Sequence, residues 1–291
     1  MSTLDLLSLK GQKVEHFEVG DYIGLGRSGV VFRAVDTDDG KPVALKIFKP
    51  EVVHGEEIIQ RFIRAMTTML PLTHPNLVRL YGAGKSGPLC WMSMEFVEGE
   101  DMTQVIDKIG RDGMLGWQYA LRVAVHIGRA LEYAQTHQVI HRNISPTNII
   151  LRSQDNTLKL GDMMLAKALE NSEEQITAIG QVVGDPRYMA PERTYENVPI
   201  DGRADIYGLG ATVYALLTGK PPFEGESVSA TIKMLRNNQP LPPGEYPQSI
   251  QKALESIVLR MLAKKPEHRF QTPTEMLQAL TNMAAQHDMR V

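Results

Sequence analysis

Apolar residues alternate with polar ones through roughly the first third of the chain and recur at helical spacing through the rest. "VVFRAVDTDDGKPVALKIF" (30–48) reads as two apolar strands about an Asp39–Gly40 turn, a strong local hairpin signal. "LVRLYGAGKSGPLCWMSME" (77–95) repeats the pattern about a Gly–Pro turn. Between the hairpins, Ile58, Ile59, Phe62, Ile63, Met66, Met69 and Leu70 recur at helical spacing and predict one helix packed on a sheet. After Glu98 the pattern turns helical. Leu121, Ala124, Ile127, Ala130, Leu131 and Ala134 mark a long amphipathic helix, and "DIYGLGATVYALL" (205–217) is apolar all round, which predicts full burial. "IQKALESIVLRMLAKKPEHRF" (250–270) predicts a further helix ended by Pro266. The expected seam between a small sheet-plus-helix lobe and a larger helical lobe falls near Val97–Gly99, and ligand clefts favour such seams.

Composition narrows the class without choosing a function. A length of 291 residues suits one two-lobed domain or two modest ones, and 43% hydrophobic with 22% charged residues is ordinary for a globular protein. A net charge of −3 offers no field for nucleic acid or an anionic membrane surface, so neither is an expected partner. The single cysteine, Cys90, cannot form an internal disulfide, which makes a cytoplasmic setting the default. No signal peptide and no stretch long enough to span a bilayer is visible.

Three stretches carry candidate chemistry. "GLGRSGVV" (24–31) places Gly24, Gly26 and Gly29 between two strands, where residues without side chains let backbone amides approach phosphate oxygens. G-x-G-x-x-G alone is weak, and a strand after it instead of a helix argues against a dinucleotide fold. In "VALK" (43–46), strand alternation puts Ala44 and Lys46 on one face. "VIHRNISPTNIIL" (139–151) resembles the H-R-D-x-K-x-x-N catalytic loop, with Asn143 at the aspartate position and Ser145 at the lysine position.

From about Phe17 to Leu280 the chain resembles the eukaryotic-like (Hanks-type) bacterial Ser/Thr protein kinase family. "HPNLVRLYG", "MEFVEGEDM", "VIHRNISPTNIIL", "GDPRYMAPE", "DGRADIYGLGATVYALLTGKPPF" and "KKPEHRF" fall in kinase order. The resemblance implies an α+β bilobal fold, with a small antiparallel-sheet N-lobe bearing one helix and a larger, mainly helical C-lobe. The expected divisions are an N-terminal extension (1–15), the N-lobe (16–97), the C-lobe (98–285) and a tail (286–291). It implies ATP under the glycine loop, with Lys46 at the phosphates. Glu95 and Val97 correspond to the adenine hinge, Met94 to the gatekeeper, and Val31, Ala44 and Ile150 to the groups that sandwich the purine. Asn148 and Asp162 correspond to the Mg2+ ligands. His141, Arg142, Asp205 and the pair Glu192–Arg269 correspond to scaffold.

Departures from the family pattern cluster. The helix glutamate that partners the phosphate lysine falls at Ala65, and Glu56 and Glu57 lie more than two helical turns away. Asn143 has no carboxylate to accept a proton, and Ser145 has no charge to offset that of a transferring phosphoryl group. The family's threonine in the following segment is Asp185, which is either part of the same loss or a relocated carboxylate. "GDMM" (161–164) keeps Asp162 but reads Met163 and Met164 where the family has Phe and Gly, and Met164 loses easy access to positive φ. The expectation is a pseudokinase that binds ATP and acts as a scaffold or allosteric partner of another protein. Two alternatives are an active Ser/Thr kinase of unusual design and an interaction module without nucleotide. Ser172 and Thr177 are candidate phosphorylation sites, and Lys46 is expected to contact Asp162 in the nucleotide-free protein.

Overall fold

Two glycines decide the hairpins. Gly40 (φ 72°) and Gly87 (φ 56°) occupy left-handed conformations that glycine reaches without a Cβ penalty, and each reverses the chain between apolar strands. The computed structural model describes residues 3–26, 28–50, 52–53, 55–112, 116–162, 184–246 and 250–291. Met163, Met164, Ser172 and Thr177 lie outside the described residues. The chain divides into two compact units, one ending at Glu98 and the other beginning at Gly99.

In the first unit, β1 (Lys13–Val14), β2 (Phe17–Leu25), β3 (Gly29–Asp36), β4 (Pro42–Phe48), β5 (Leu80–Ser86) and β6 (Leu89–Glu95) form an antiparallel sheet. The strand order is β1-β2-β3-β4-β6-β5. Strand alternation sends Val30, Phe32 and Ala34 of β3, with Val43, Leu45 and Ile47 of β4, to one buried face. That face is packed by Leu6 of the short helix α1 (Thr3–Leu7), by Leu9 and by Val14. Val14 also pairs with Phe17 across the β1–β2 ladder. The segment expected as an extension therefore covers the sheet core, and the first unit carries two helices where one was expected.

The second helix, α2 (Glu56–Met69), buries Ile59, Phe62, Ala65, Met66 and Met69. Phe62 sets its ring 4.9 Å from that of Phe48, on the sheet face opposite α1. Ile63, which shares the helical periodicity, lies outside the buried stripe at 36% exposure, because the stripe is narrower than the apolar pattern.

The second unit has a small antiparallel sheet of β7 (Gly99–Asp101), β8 (Ile149–Arg152) and β9 (Leu158–Leu160). Its helices are α3 (Met102–Asp112), α4 (Trp117–Thr136), α5 (Arg203–Thr218), α6 (Val228–Asn237), α7 (Lys252–Met261) and α8 (Pro273–Gln286). Helix α5 is buried from Ala204 to Thr218, as its all-round apolarity predicts. It packs against α4, which also packs against α8.

Helix α7 stops at Met261, well before Pro266. The buried Arg269 side chain takes the carbonyls of Ala263 (2.8 Å) and Lys264 (3.0 Å) as acceptors, so these groups leave the helical ladder. Among the described residues, no helix is long and apolar enough to cross a membrane.

Candidate functional site

In the first unit, sheet register brings separated residues onto one face. Gly24 lies opposite Val31, and Val31 opposite Lys46. Ala44, two residues from Lys46 on β4, lies opposite Met94. Directly opposed residues share a face, so Gly24, Val31, Ala44, Lys46 and Met94 line the side away from the α1 core. Lys46 is 4% exposed, and its ammonium lies 5.7 Å from the Phe48 ring centroid. Glu57 pairs with Arg61, and Glu56 accepts a hydrogen bond from Gln60, so both acids at the start of α2 are engaged along the helix itself. Glu95 accepts from the Arg79 amide, and Val97 follows at the end of the unit.

The three glycines differ in what requires them. A Cβ on Gly29 would meet the Ile47 carbonyl oxygen at 2.2 Å, so the β3–β4 ladder alone demands glycine there. At Gly24 a Cβ would meet nothing within 4 Å, and at Gly26 nothing nearer than 3.7 Å. Packing within the unit therefore leaves Gly24 and Gly26 unexplained, and open space beside a backbone is what an approaching ligand uses.

In the second unit, a buried carboxylate shapes the loop that carries Asn143. Asp205, at the start of α5, accepts hydrogen bonds from the amides of His141 (2.7 Å) and Arg142 (2.6 Å). Burial pushes its carboxyl above the usual carboxylate range, while His141 and the two amides pull it back. Arg142 is held at φ 63°, an unfavourable conformation for a residue with a long side chain, and its carbonyl accepts from Arg193. His141 is fully buried, and burial lowers its pKa. The neutral ring accepts the Asn143 amide at Nδ1 (3.2 Å) and donates from Nε2 to the Gly161 carbonyl (2.8 Å).

Around this scaffold stand Asn143, Ser145, Asn148, Asp162 and Asp185. Asn148 donates its side-chain amide to the Asn143 carbonyl (2.7 Å), which leaves its Oδ1 as the acceptor. The Asn148 carbonyl in turn accepts the Gly161 amide (2.8 Å). Gly161 is thus tied at both its N–H and its C=O, which fixes the entry to Asp162, itself at φ 58°. Ser145 is buried, and its hydroxyl exchanges a 2.9 Å hydrogen bond with Thr147. Ile150 lies on β8, opposite Asp101 and Lys159.

Asp185 is engaged by a residue that motif reading passed over. Both its carboxylate oxygens accept from the Arg187 guanidinium, at 2.8–3.1 Å, and Oδ1 also accepts the Arg187 amide. Arg187 reaches on to Glu224 (3.0 Å), and its bonds to Asp185 raise its pKa further. The signal was the spacing Asp-Pro-Arg, in which the third residue of a tight turn can close back on the first. Arg142, Asn143, Ser145, Asp185 and Arg193 line a cavity of about 10 Å³, room for about one water. Gly184 (φ 116°) follows the same wall, and a Cβ there would press on Asn143 Oδ1 at 3.3 Å.

The scaffold pair is also in place. Arg269, with a wholly buried side chain, binds both carboxylate oxygens of Glu192 at 2.6 and 2.7 Å.

The family model described as protein kinase domain matches residues 17–281. The chain belongs to the protein kinase family. Its curated relatives place it in the bacterial Ser/Thr branch. It is 32% identical to "Probable serine/threonine-protein kinase CA_C1728" of Clostridium acetobutylicum, over 92% of this chain and 40% of that protein. It is 32% identical to serine/threonine-protein kinase PknB of Mycobacterium tuberculosis, over 90% of this chain and 42% of that protein. The chain thus spans about two fifths of the length of these relatives. Among solved structures, the PknI kinase domain of Mycobacterium tuberculosis is similar, with a TM-score of 0.73 and 25% identity. That match covers 94% of this chain and 98% of the PknI chain.

Kinases of this family use ATP and Mg2+, and the residues present fit both. The open space at Gly24 and Gly26 suits phosphate contact, and Lys46 offers the cation. The Oδ1 of Asn148 and the Asp162 carboxylate are the hard oxygen ligands Mg2+ takes.

Proposed function

We propose that this kinase-fold chain binds Mg·ATP weakly and works as a pseudokinase, a cytoplasmic scaffold or allosteric partner for another protein, with little or no phosphotransfer. The observation that carries this reading is the state of the two groups nearest the missing base. Position 143 bears a neutral amide, and both oxygens of Asp185 are committed to Arg187. An amide orients a hydroxyl but accepts no proton at neutral pH, and a carboxylate clamped by a guanidinium is a poor base. Ser145 supplies no charge to the transferring phosphoryl group, and Ala65 supplies no anion to Lys46.

Losing a positioned base costs ~10²–10⁴ in rate and losing one electrostatic donor ~10²–10³. Against roughly 1–100 s⁻¹ for ordinary kinases, about 10⁻⁷–10⁻² s⁻¹ remains if the losses add. When bound, the metal and nucleotide supply the phosphoryl group and neutralise its charge. The chain's own part is to hold Asn148 and Asp162 through Gly161 and to keep the loop rigid through Asp205.

The second reading, an active Ser/Thr kinase, is favoured by one observation: Asp185 lines the same small cavity as Asn143. A thermal shift with Mg·ATP, lost in Lys46→Ala and Asp162→Ala, together with negligible radiolabelled transfer, supports the pseudokinase. Turnover at ordinary kinase rates that Asp185→Asn abolishes establishes the second reading. No shift at millimolar ATP leaves only a binding module without nucleotide.

A further inference from the structure

We propose that His16, Asp36 and Asp38 form a binding site for one zinc-like divalent ion that staples the N-terminal segment to the sheet of the first unit. The three residues come from two turns. His16 sits in the β1–β2 turn, and Asp36 and Asp38 lie at the end of β3 and in the turn leading to β4. One ligand atom from each lies within 4.8 Å of the other two. His16 Nε2 and Asp36 Oδ2 stand 3.7 Å apart, too far for a hydrogen bond. Ligands at zinc–nitrogen and zinc–oxygen distances of ~2.1 Å in a tetrahedron lie ~3.4 Å apart, so a small contraction lets one ion bridge the pair.

The arrangement is prebuilt on both sides. The His16 ring lies 4.0 Å from the Phe17 ring and edge-on to Trp91 at 6.1 Å, which fixes the imidazole plane. Its backbone carbonyl accepts both the amide (2.8 Å) and the hydroxyl (2.7 Å) of Thr37, tying the histidine turn to the aspartate turn. Asp36 spends Oδ1 on the Asp38 amide (3.0 Å), which leaves Oδ2 for the histidine side. The neighbouring Asp39 is set apart, with its carboxylate on Lys41. His16 and Asp36 side chains are 38% and 22% exposed, so an ion enters from solvent and keeps water in its remaining positions.

The imidazole selects the ion. A nitrogen with two carboxylates suits zinc and the late first-row divalent ions, whereas Mg2+ and Ca2+ prefer all-oxygen sets. The site lies wholly within the first unit and shares no residue with Asn148 and Asp162, so it is independent of the nucleotide reading. It would lock the turn that leads from the α1 cap into β2, and with it the cover of the sheet core.

The test is calorimetric titration of tag-free, chelator-treated protein with ZnCl2, in wild type, His16→Gln, Asp38→Asn and Asp162→Asn, with MgCl2 as the comparison ion. The expected result is one sub-millimolar zinc site that weakens at least about tenfold in His16→Gln and Asp38→Asn, persists in Asp162→Asn and is not matched by Mg2+. A zinc-induced rise in melting temperature that disappears in Asp38→Asn accompanies it. Because Asp38 is exposed, that variant tests the site even if His16→Gln disturbs folding. Zinc binding that is absent in wild type, unchanged in Asp38→Asn, or lost in Asp162→Asn overturns the proposal.

Discussion

Asn143→Asp restores the one atom that general-base catalysis lacks. The exchange is nearly isosteric, and the bonds that set position 143 are backbone bonds: its amide on His141 Nδ1 (3.2 Å) and its carbonyl under Asn148 (2.7 Å). Both survive the substitution, so the new carboxylate inherits the loop geometry. A positioned base is worth ~10²–10⁴, or about 3–5 kcal/mol of barrier. Asp185 lines the same cavity and would raise the new carboxyl's pKa by like charge, but Arg187 neutralises most of that field. Ser145 and Ala65 still withhold their charges, so the single variant should recover the lower end, about 10²-fold. The triple variant with Ser145→Lys and Ala65→Glu should exceed the product of the separate gains, because the three act on one phosphoryl group. The assay is radiolabelled transfer to a generic protein substrate, with Lys46→Ala in each background to exclude a contaminating kinase. A wild type that already turns over at kinase rates, or an Asn143→Asp variant no faster than wild type despite intact Mg·ATP binding, refutes the reasoning.

Three further outcomes follow from the packing. Arg269→Met leaves Glu192 buried without its partner, and breaking such a pair costs about 3–5 kcal/mol; urea unfolding that shows less than about 1 kcal/mol would count against it. Gly29→Ala drives a Cβ into the Ile47 carbonyl and should lower stability by about 1–3 kcal/mol, whereas Gly24→Ala should leave the melting temperature unchanged and reduce only the Mg·ATP shift. On helix α4, burial and then the like charges of Arg122 and Arg129 depress the His126 pKa from 6.5 to about 4. The unfolded chain therefore binds the extra proton first, so stability falls as pH drops from about 6.5 to about 4. An NMR titration placing His126 at or above 6.5 would contradict this, as would a His126→Asn variant with the same acid loss.

Much of the architecture was legible in the residues. Asp39–Gly40 and Gly87–Pro88 marked both hairpins because positive φ is nearly glycine's alone, and the unbroken apolar run from 205 to 217 marked a helix buried on every side. The candidate chemistry was legible where it is linear: Gly24 to Gly29, Lys46, and Asn143 to Asn148 sit on contiguous loops and strands whose spacing is readable.

Tertiary structure decided what depends on residues far apart in sequence. Helix α7 ends at Met261, not at Pro266, because buried Arg269 claims the Ala263 and Lys264 carbonyls. Ile63 is left out of the buried face because the surface that α2 covers is narrower than its apolar stripe. The first residues became part of the core because the sheet's outer face needed covering, and Leu6, Leu9 and Val14 were the apolar groups within reach. Asp185 was readable as a substitution, but its capture by Arg187 and the link to Glu224 were not, since a carboxylate's chemistry is set by its neighbours in space. Local pattern reports backbone preference and periodic burial; which side chains finally meet is set by the packing of whole elements, and that has no period to read.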